Sequence, residues 1–186
     1  LDLGAHGVMV PMVESQEQAK SIVEACRYPP VGRRGAAFGF AQCDYLGGDV
    51  AEKIRRYNER TLVIAQIETE RGLDQVEKVA AVDGIDVLWV GHFDLSNFMG
   101  IPARFDDPRF DAAMRHVAAV ARRHGKAAGF MATDAPWIAL LEAIGDRECD
   151  VVADFLAFTP RDIQSRLDVL SGRMGQYVFI SSASAY

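Results

Sequence analysis

Cysteine is sparse in this chain. There are three, Cys26, Cys43 and Cys149, and no two form a CxxC pair. An odd number at such spacing does not make a disulfide framework, and the three read as reduced thiols. Long apolar runs are missing too. None approaches the ~20 residues needed to span a bilayer, and no signal-peptide pattern opens the chain. Dense basic runs are absent and the formal net charge is -6, which argues against nucleic acid as the main partner. These absences indicate a cytoplasmic protein with no membrane and no nucleic-acid partner. What remains is ordinary globular material. The 186 residues, 49% hydrophobic and 25% charged, suffice for one domain with a real core. The chain opens at Leu1 inside a helix-to-strand transition, LDLGAHGVMVPMV, so sequence upstream is expected.

Read in order, the chain alternates strand and helix. His6 to Val13 reads as a buried strand. Ser15, with Gln18 three residues on, caps a helix from Gln16 to Arg27 whose face carries Ala19, Ile22, Val23 and Cys26. Tyr28-Pro29-Pro30 stops it. Val31 to Gly48 is rich in glycine and aromatics and reads as a short strand near Ala36 to Phe40 followed by an irregular loop. Arg33 and Arg34 lie there, either offering charge to an anion or forming a solvated turn. Asp49 caps a helix to Asn58. A strand from Leu62 leads to a helix over Glu70 to Val79, and an Asp83-Gly84 turn enters a strand over Gly84 to Val90. After Asp94 comes a loop, then a helix from Arg109 to His124 with Ala112, Val117, Ala118, Val120 and Ala121 on one face, ended by Gly125. Lys126 to Ala132 is another buried strand, and Thr133-Asp134 caps a helix from Ala135 to Ile144. This β-α repeat with short connections predicts parallel strands and right-handed crossovers. The fold class is α/β, an incomplete (β/α)8 TIM barrel. A complete barrel needs ~250 residues, so one or two β/α units should be absent from these 186.

Two strand tips carry the chemistry. The apolar run Leu62 to Ala65 ends in Gln66-Ile67-Glu68. Alternation puts Gln66 and Glu68 on one face, where an amide and a carboxylate are costly to bury unless something binds them. The next strand ends in Gly91-His92-Phe93-Asp94. In a parallel sheet or barrel, C-terminal strand ends converge on the ligand site, so Glu68 and Asp94 should lie side by side and hold one divalent cation. Hard carboxylate oxygens suit Mg²⁺ or Mn²⁺ better than Zn²⁺. Open coordination positions would take a chelating 2-oxo acid, and the metal would act as Lewis acid toward its enolate. The alternative is that both acids cap the following helices or pair with Arg71 and Lys78.

Five segments, RYPPVGRRG (27–35), QIET (66–69), VGHFDLS (90–96), MGIP (99–102) and HGKAAG (124–129), resemble in combination the HpcH/HpaI aldolase/citrate lyase family of metal-dependent class II pyruvate aldolases. The resemblance covers about residues 1–143. It implies a TIM barrel, cleavage of a 4-hydroxy-2-oxo acid to pyruvate and an aldehyde, a Mg²⁺, Mn²⁺ or Co²⁺ cofactor, and a homo-oligomer with sites near subunit boundaries. It places Glu68 and Asp94 as metal ligands. Gln66 bonds pyruvate, and the backbone amides of Phe93 and Asp94 receive its carboxylate. The family's base histidine and pyruvate-gripping arginine lie upstream of LDLG, so no catalytic proton-transfer residue falls within this chain. His6, His92, His116 and His124 do not match that motif. His92 reads either as a support beside the metal turn or as a loop histidine making one backbone bond. Ala41-Gln42-Cys43-Asp44 lacks the arginine that relatives use for acidic aldehydes, and Phe93 replaces a small residue. Both changes point to a neutral or differently shaped acceptor.

The segment from about 145 to 186 resembles instead part of an NAD-dependent epimerase/dehydratase. It contains a strand over Val151 to Phe158, a helix from Thr159-Pro160 to Leu170, a strand over Tyr177 to Ser181, and Ser181, Ser182 and Ser184 at its end. Yet no GxGxxG opens any predicted βα unit. The sequence thus leaves three classes: a metal-dependent aldolase, an inactive metal- and 2-oxo-acid-binding fragment or chimera, and an epimerase fragment.

Overall fold

The computed structural model describes residues 1–131 in full and the backbone of two later strands, Cys149–Asp154 and Met174–Phe179. The chain divides into two compact units, Leu1–Met131 and Ala132–Tyr186. The first holds a four-stranded sheet of β1 (Gly7–Val10), β2 (Leu62–Ile67), β3 (Val87–Val90) and β4 (Ala127–Phe130). Its order is β1-β2-β3-β4 and every pair is parallel. Helices α1 (Gln16–Cys26) and α2 (Val50–Arg60) lie between β1 and β2, and α3 (Glu70–Ala80) lies between β2 and β3. Short α4 (His92–Phe98) and long α5 (Pro108–Arg123) follow β3.

Local chemistry explains the boundaries. Ser15 Oγ accepts from the Gln18 amide at 3.2 Å and Asp49 Oδ1 from the Glu52 amide at 2.8 Å, so both expected caps form. Thr69 Oγ1 caps α3 by accepting from the Gly72 amide at 2.9 Å. Along β2, Val63, Ala65 and Ile67 are wholly buried, while Leu62, Ile64 and Gln66 on the opposite face are not. The buried face packs on α1 and α3, α3 packs on α5, and α5 covers β3. There Val76, Val79, Leu88, Phe110, Val117 and Val120 complete the core.

At the N-terminal ends of the strands an ion pair ties this layer together. Asp86 Oδ2 accepts from the Val63 amide at 2.7 Å and from Arg27 at 2.8 Å. Arg27, 5% exposed, also donates to the carbonyls of Gly84 and Asn58.

Five expectations need correction. The stretch Ala36 to Phe40 is no strand. Its approach bonds to the end of α1 instead, with the Arg33 and Arg34 amides donating to the Glu24 and Arg27 carbonyls. Phe38 then packs on Tyr28 and Tyr57, at ring-centroid separations of 5.5 and 6.3 Å. The stretch after Asp94 is not all loop, because α4 runs to Phe98. The expected strand over Gly84 to Val90 begins only at Val87, since the Ile85 amide still bonds back to Val82 within the turn. Strands β1 and β4 are half-exposed rather than buried, as outer strands of the described sheet. On α5, Phe110, Ala113 and Met114 join Val117, Val120 and Ala121 in the buried face, whereas Ala112 is exposed and Ala118 half-buried.

In the second unit, β5 (Cys149–Asp154) and β6 (Met174–Phe179) pair in parallel, Val152 opposite Tyr177. The helices expected over Ala135–Ile144 and Thr159–Leu170, and Ser181, Ser182 and Ser184, lie outside the described residues.

Gly84 enters β3 at φ +92, and a Cβ there would sit 2.6 Å from Val23 Cγ1. Backbone strain and overpacking therefore act together. Gly84→Ala should lower unfolding free energy by about 1–3 kcal/mol, read as a lower urea midpoint at unchanged slope.

Candidate active site

Three consecutive strand exits meet at Glu68. β1 ends at Val10, and the chain bends at Met12, which adopts the left-handed conformation at φ 51. That bend aims the Met12 amide at Glu68 Oε1, 2.9 Å away. The Val13 amide then donates to the Gln66 carbonyl at 3.1 Å, so the β1 exit runs along the tip of β2. β3 delivers Gly91, whose amide bonds to the Ile67 carbonyl at 3.2 Å. Gly91 is required there for space. A Cβ on it would lie 2.3 Å from Glu68 Oε2 and 2.7 Å from Gln66 Nε2. The missing side chain is the room that the amide and the carboxylate share.

Glu68 is 4% exposed. Burial raises its carboxyl above the ordinary carboxylate range; the Met12 amide opposes this and the Asp94 charge adds to it. Of these three influences the Asp94 charge is the weakest. Among the described residues no Lys, Arg or His forms a salt bridge with either. Nor does Glu68 cap α3, a task done by Thr69. The capping and ion-pair alternatives therefore fail for Glu68.

Asp94 lies in the first turn of α4, exposed, instead of at the end of the strand. The α4 N-cap is Gly91, which supplies no side-chain acceptor. The first amides of a helix lack intrahelical partners and point outward, and those of Phe93 and Asp94 belong to this set. Phe93 is itself 51% exposed beside Asp94. His92 is buried as the first residue of α4, its ring tilted against those of Phe93 and Phe105 with centroids at 4.6 and 5.3 Å. Burial pushes its imidazole down and the Asp94 charge partly opposes this. It is thus no loop histidine. Ser96 Oγ donates to the Phe93 carbonyl at 2.7 Å and accepts from the Ala103 amide at 3.0 Å, fixing α4 against the turn after it.

Other candidates lie elsewhere. Arg34 pairs with Asp2 at 2.5 Å and covers the Tyr28 ring, while Arg33 is exposed. Gln42 is buried in a short turn and donates to the Ala37 carbonyl. His124 meets Glu77 at 2.8 Å between α5 and α3. Sequence reasoning missed the Met12 amide and Gly91. The first depends on a backbone bend that no residue type announces. The second was legible as a glycine following an apolar strand.

The fold is α/β, with a parallel sheet whose β2 tip carries Glu68 and whose β3 leads through Gly91 into Asp94 of α4. The chain belongs to the HpcH/HpaI aldolase/citrate lyase family, whose model matches residues 1–142. It is 44% identical over 137 residues to a 4-hydroxy-2-oxovalerate aldolase of Novosphingobium aromaticivorans, covering 72% of this chain and 50% of that protein. It is 38% identical over 140 residues to a hydroxypyruvate/pyruvate aldolase of Roseobacter denitrificans, covering 72% and 52%. The chain thus spans about half the length of these curated relatives. A 2-keto-3-deoxy-L-rhamnonate aldolase of Salmonella paratyphi B aligns over 184 residues at 30% identity, covering 99% and 66%. Among solved structures, the citrate synthase SbnG superposes with a TM-score of 0.68 at 28% identity, over 89% of this chain and 62% of that one. An HpcH/HpaI aldolase from Desulfitobacterium hafniense superposes with a TM-score of 0.67 at 24% identity, over 96% and 59%, and supports the fold alone.

A carboxyl held above its unfolded pKa costs stability once ionised. The penalty is absent below the unfolded value of about 4.3, grows as pH rises, and is complete above the folded value. In EDTA, Glu68→Gln should therefore be more stable than the parent at pH 7, and the difference should vanish toward pH 4. Urea midpoints across that range check it.

Proposed function

We propose that this chain carries the metal- and keto-acid-binding part of a class II pyruvate aldolase site. The observation behind the reading is a buried Glu68 that forms no salt bridge among the described residues, whose carboxyl is pushed up by burial and by the Asp94 charge, with Gln66 in the space that Gly91 leaves open. Among the described residues no group of three or more His, Cys, Asp or Glu side chains is placed to hold a metal. Two carboxylates nonetheless suit Mg²⁺ or Mn²⁺, which keep water or substrate oxygens in their other positions. Glu68 and Asp94 would hold the ion.

When bound, a divalent ion supplies Lewis acidity to a ketone oxygen. The chain's own groups do the rest. The Gln66 amide donates a hydrogen bond to the bound keto acid. The Phe93 and Asp94 amides at the start of α4 receive its carboxylate, aided by the positive end of the helix. The Met12 amide holds Glu68 by one oxygen and leaves Oε2 turned toward the Gly91 side. The reaction is cleavage of a 4-hydroxy-2-oxo acid to pyruvate and an aldehyde. Phe93 narrows the aldehyde side and favours a neutral acceptor.

A second reading, binding without turnover, is favoured by the histidines. His92 is buried under Phe93, and His124 is engaged with Glu77. On this reading the 186-residue chain binds metal and pyruvate but lacks the proton-transfer group.

Titration with Mn²⁺, followed by water-proton relaxation and calorimetry, tests the site. The parent should bind one Mn²⁺ and, in its presence, pyruvate. Glu68→Gln and Asp94→Asn should each abolish both, and Gly91→Ala should weaken Mn²⁺ by about 10–100-fold, as loss of ligand positioning does. Pyruvate release from a 4-hydroxy-2-oxo acid then separates turnover from binding alone. Absence of Mn²⁺ binding by the folded parent would overturn both readings.

A further inference from the structure

Trp89 has no role in the site as described so far, yet the sheet register brings it level with Gln66 and one step below Glu68 and Gly91. It is the direct β3 partner of Gln66 and, on its other side, of Gly129 of β4. Residues two apart on a strand share a face, so Trp89 lies on the Gln66 side of the sheet, one step below Gly91. Trp89 is half-buried and its six-membered ring reaches the backbone of β4 at Gly129. A Cβ on Gly129 would meet Trp89 Cε3 at 2.7 Å and Cζ3 at 2.9 Å. The two glycines thus clear two spaces at adjoining levels. Gly91 makes room for Gln66 and Glu68 at the tips, and Gly129 makes room for the ring that lies level with Gln66 and below Glu68.

We propose that Trp89 is the apolar floor of the pocket and sets how large a 2-oxo acid can be held above it. This rests on the keto-acid reading of Gln66, Glu68 and Asp94. Among the described residues the neighbouring positions of the sheet add little side-chain bulk there. Gly91 and Gly129 contribute no side chain, and Gln66 is engaged at the tip. The rigid indole therefore limits the depth available to the alkyl end of a ligand fixed at Gln66 and Glu68. Pyruvate, with a single methyl group, fits such a shallow floor, and a 2-oxo acid two carbons longer does not. Trp89 acts here as a specificity-determining residue. It carries no ionisable group and donates no proton to the reaction.

The test is a comparison of binding by the 186-residue chain loaded with Mn²⁺. Affinities for pyruvate and 2-oxopentanoate are measured by calorimetry in the parent, Trp89→Leu and Trp89→Phe. A methylene in an apolar pocket discriminates by about tenfold or more. The parent should therefore prefer pyruvate by at least that factor. Trp89→Leu should bring the two ligands within about threefold of each other, and Trp89→Phe should fall between, with Mn²⁺ affinity the same in all three. Tryptophan fluorescence gives a second readout. The chain has two tryptophans, and the change on adding pyruvate should disappear in Trp89→Phe. Should Trp89→Leu fail to fold, Trp89→Phe and the fluorescence arm decide. Unchanged discrimination in the folded variants, or a pyruvate-dependent signal persisting in Trp89→Phe, would overturn the floor assignment while the keto-acid site stands. No pyruvate binding by the parent would overturn both.

Discussion

A carboxylate with one backbone donor and another acid for a neighbour is an expensive thing to bury, and the top of the sheet is built around it. Glu68 is 4% exposed and receives the Met12 amide at 2.9 Å, while the Asp94 charge works against its ionisation. Burying an ionised group without a partner costs several kcal/mol in typical proteins (roughly, and after relaxation). The surrounding oddities follow from keeping that group in place. Met12 takes a left-handed conformation to present its amide. Gly91 gives up a side chain so that Oε2 has somewhere to go. The parallel register of β1, β2 and β3 brings those two features to the same level.

The opposite end of the same strands shows what a satisfied charge looks like in this molecule. Asp86 is met by Arg27 and the Val63 amide, and Arg27 by two carbonyls besides. Lys126 donates to the Val82 and Ile85 carbonyls. Polar groups at the N-terminal ends are thus matched within the chain, while the acids at the C-terminal ends have no cation among the described residues. In barrels of this type the N-terminal face serves stability and the C-terminal face serves chemistry. Here the division is written in which charges have partners. The strain of the upper face is carried by the matched lower face and by the helix-covered core of Val63, Ala65, Ile67 and Leu88.

Much of this was legible from residue order. Alternation placed Gln66 and Glu68 together, and the repeat of strand and helix announced parallel strands. Ser15, Asp49 and Gly125 marked helix ends by local chemistry that the structure keeps. What escaped was set by tertiary contact. The stretch Ala36 to Phe40 has strand-like composition but is drawn to the Tyr28 and Tyr57 rings. From residue order Asp94 closes a strand tip ahead of a loop, yet Gly91 is the N-cap of α4 and Asp94 sits in its first turn. β1 and β4 read as buried because apolar or small residues fill them, and burial of an outer strand depends on neighbours that periodicity cannot name. The Met12 turn had no marker at all, since methionine rarely adopts positive φ.

The position of the acids also says what sort of sheet this is. In an open doubly wound sheet the ligand crevice forms where strand order reverses and successive connections leave for opposite faces. Among the described strands the order is strictly sequential, and α1, α3 and α5 pack side by side against one face. No reversal occurs between β2 and β3, so an open sheet would offer no crevice there. The acids nonetheless gather at that point, on the face turned away from the helices, with β1 contributing from one side. Convergence of consecutive tips toward an inner face is the geometry of a curved, closing sheet. Glu68 and Gln66 sit at the tip of β2, and Trp89 lies level with Gln66 on β3. The same placement accounts for the half-exposure of Leu62, Ile64 and Trp89. They line the side on which the chain leaves room, while the helix side is packed until Val63, Ala65 and Ile67 reach zero exposure.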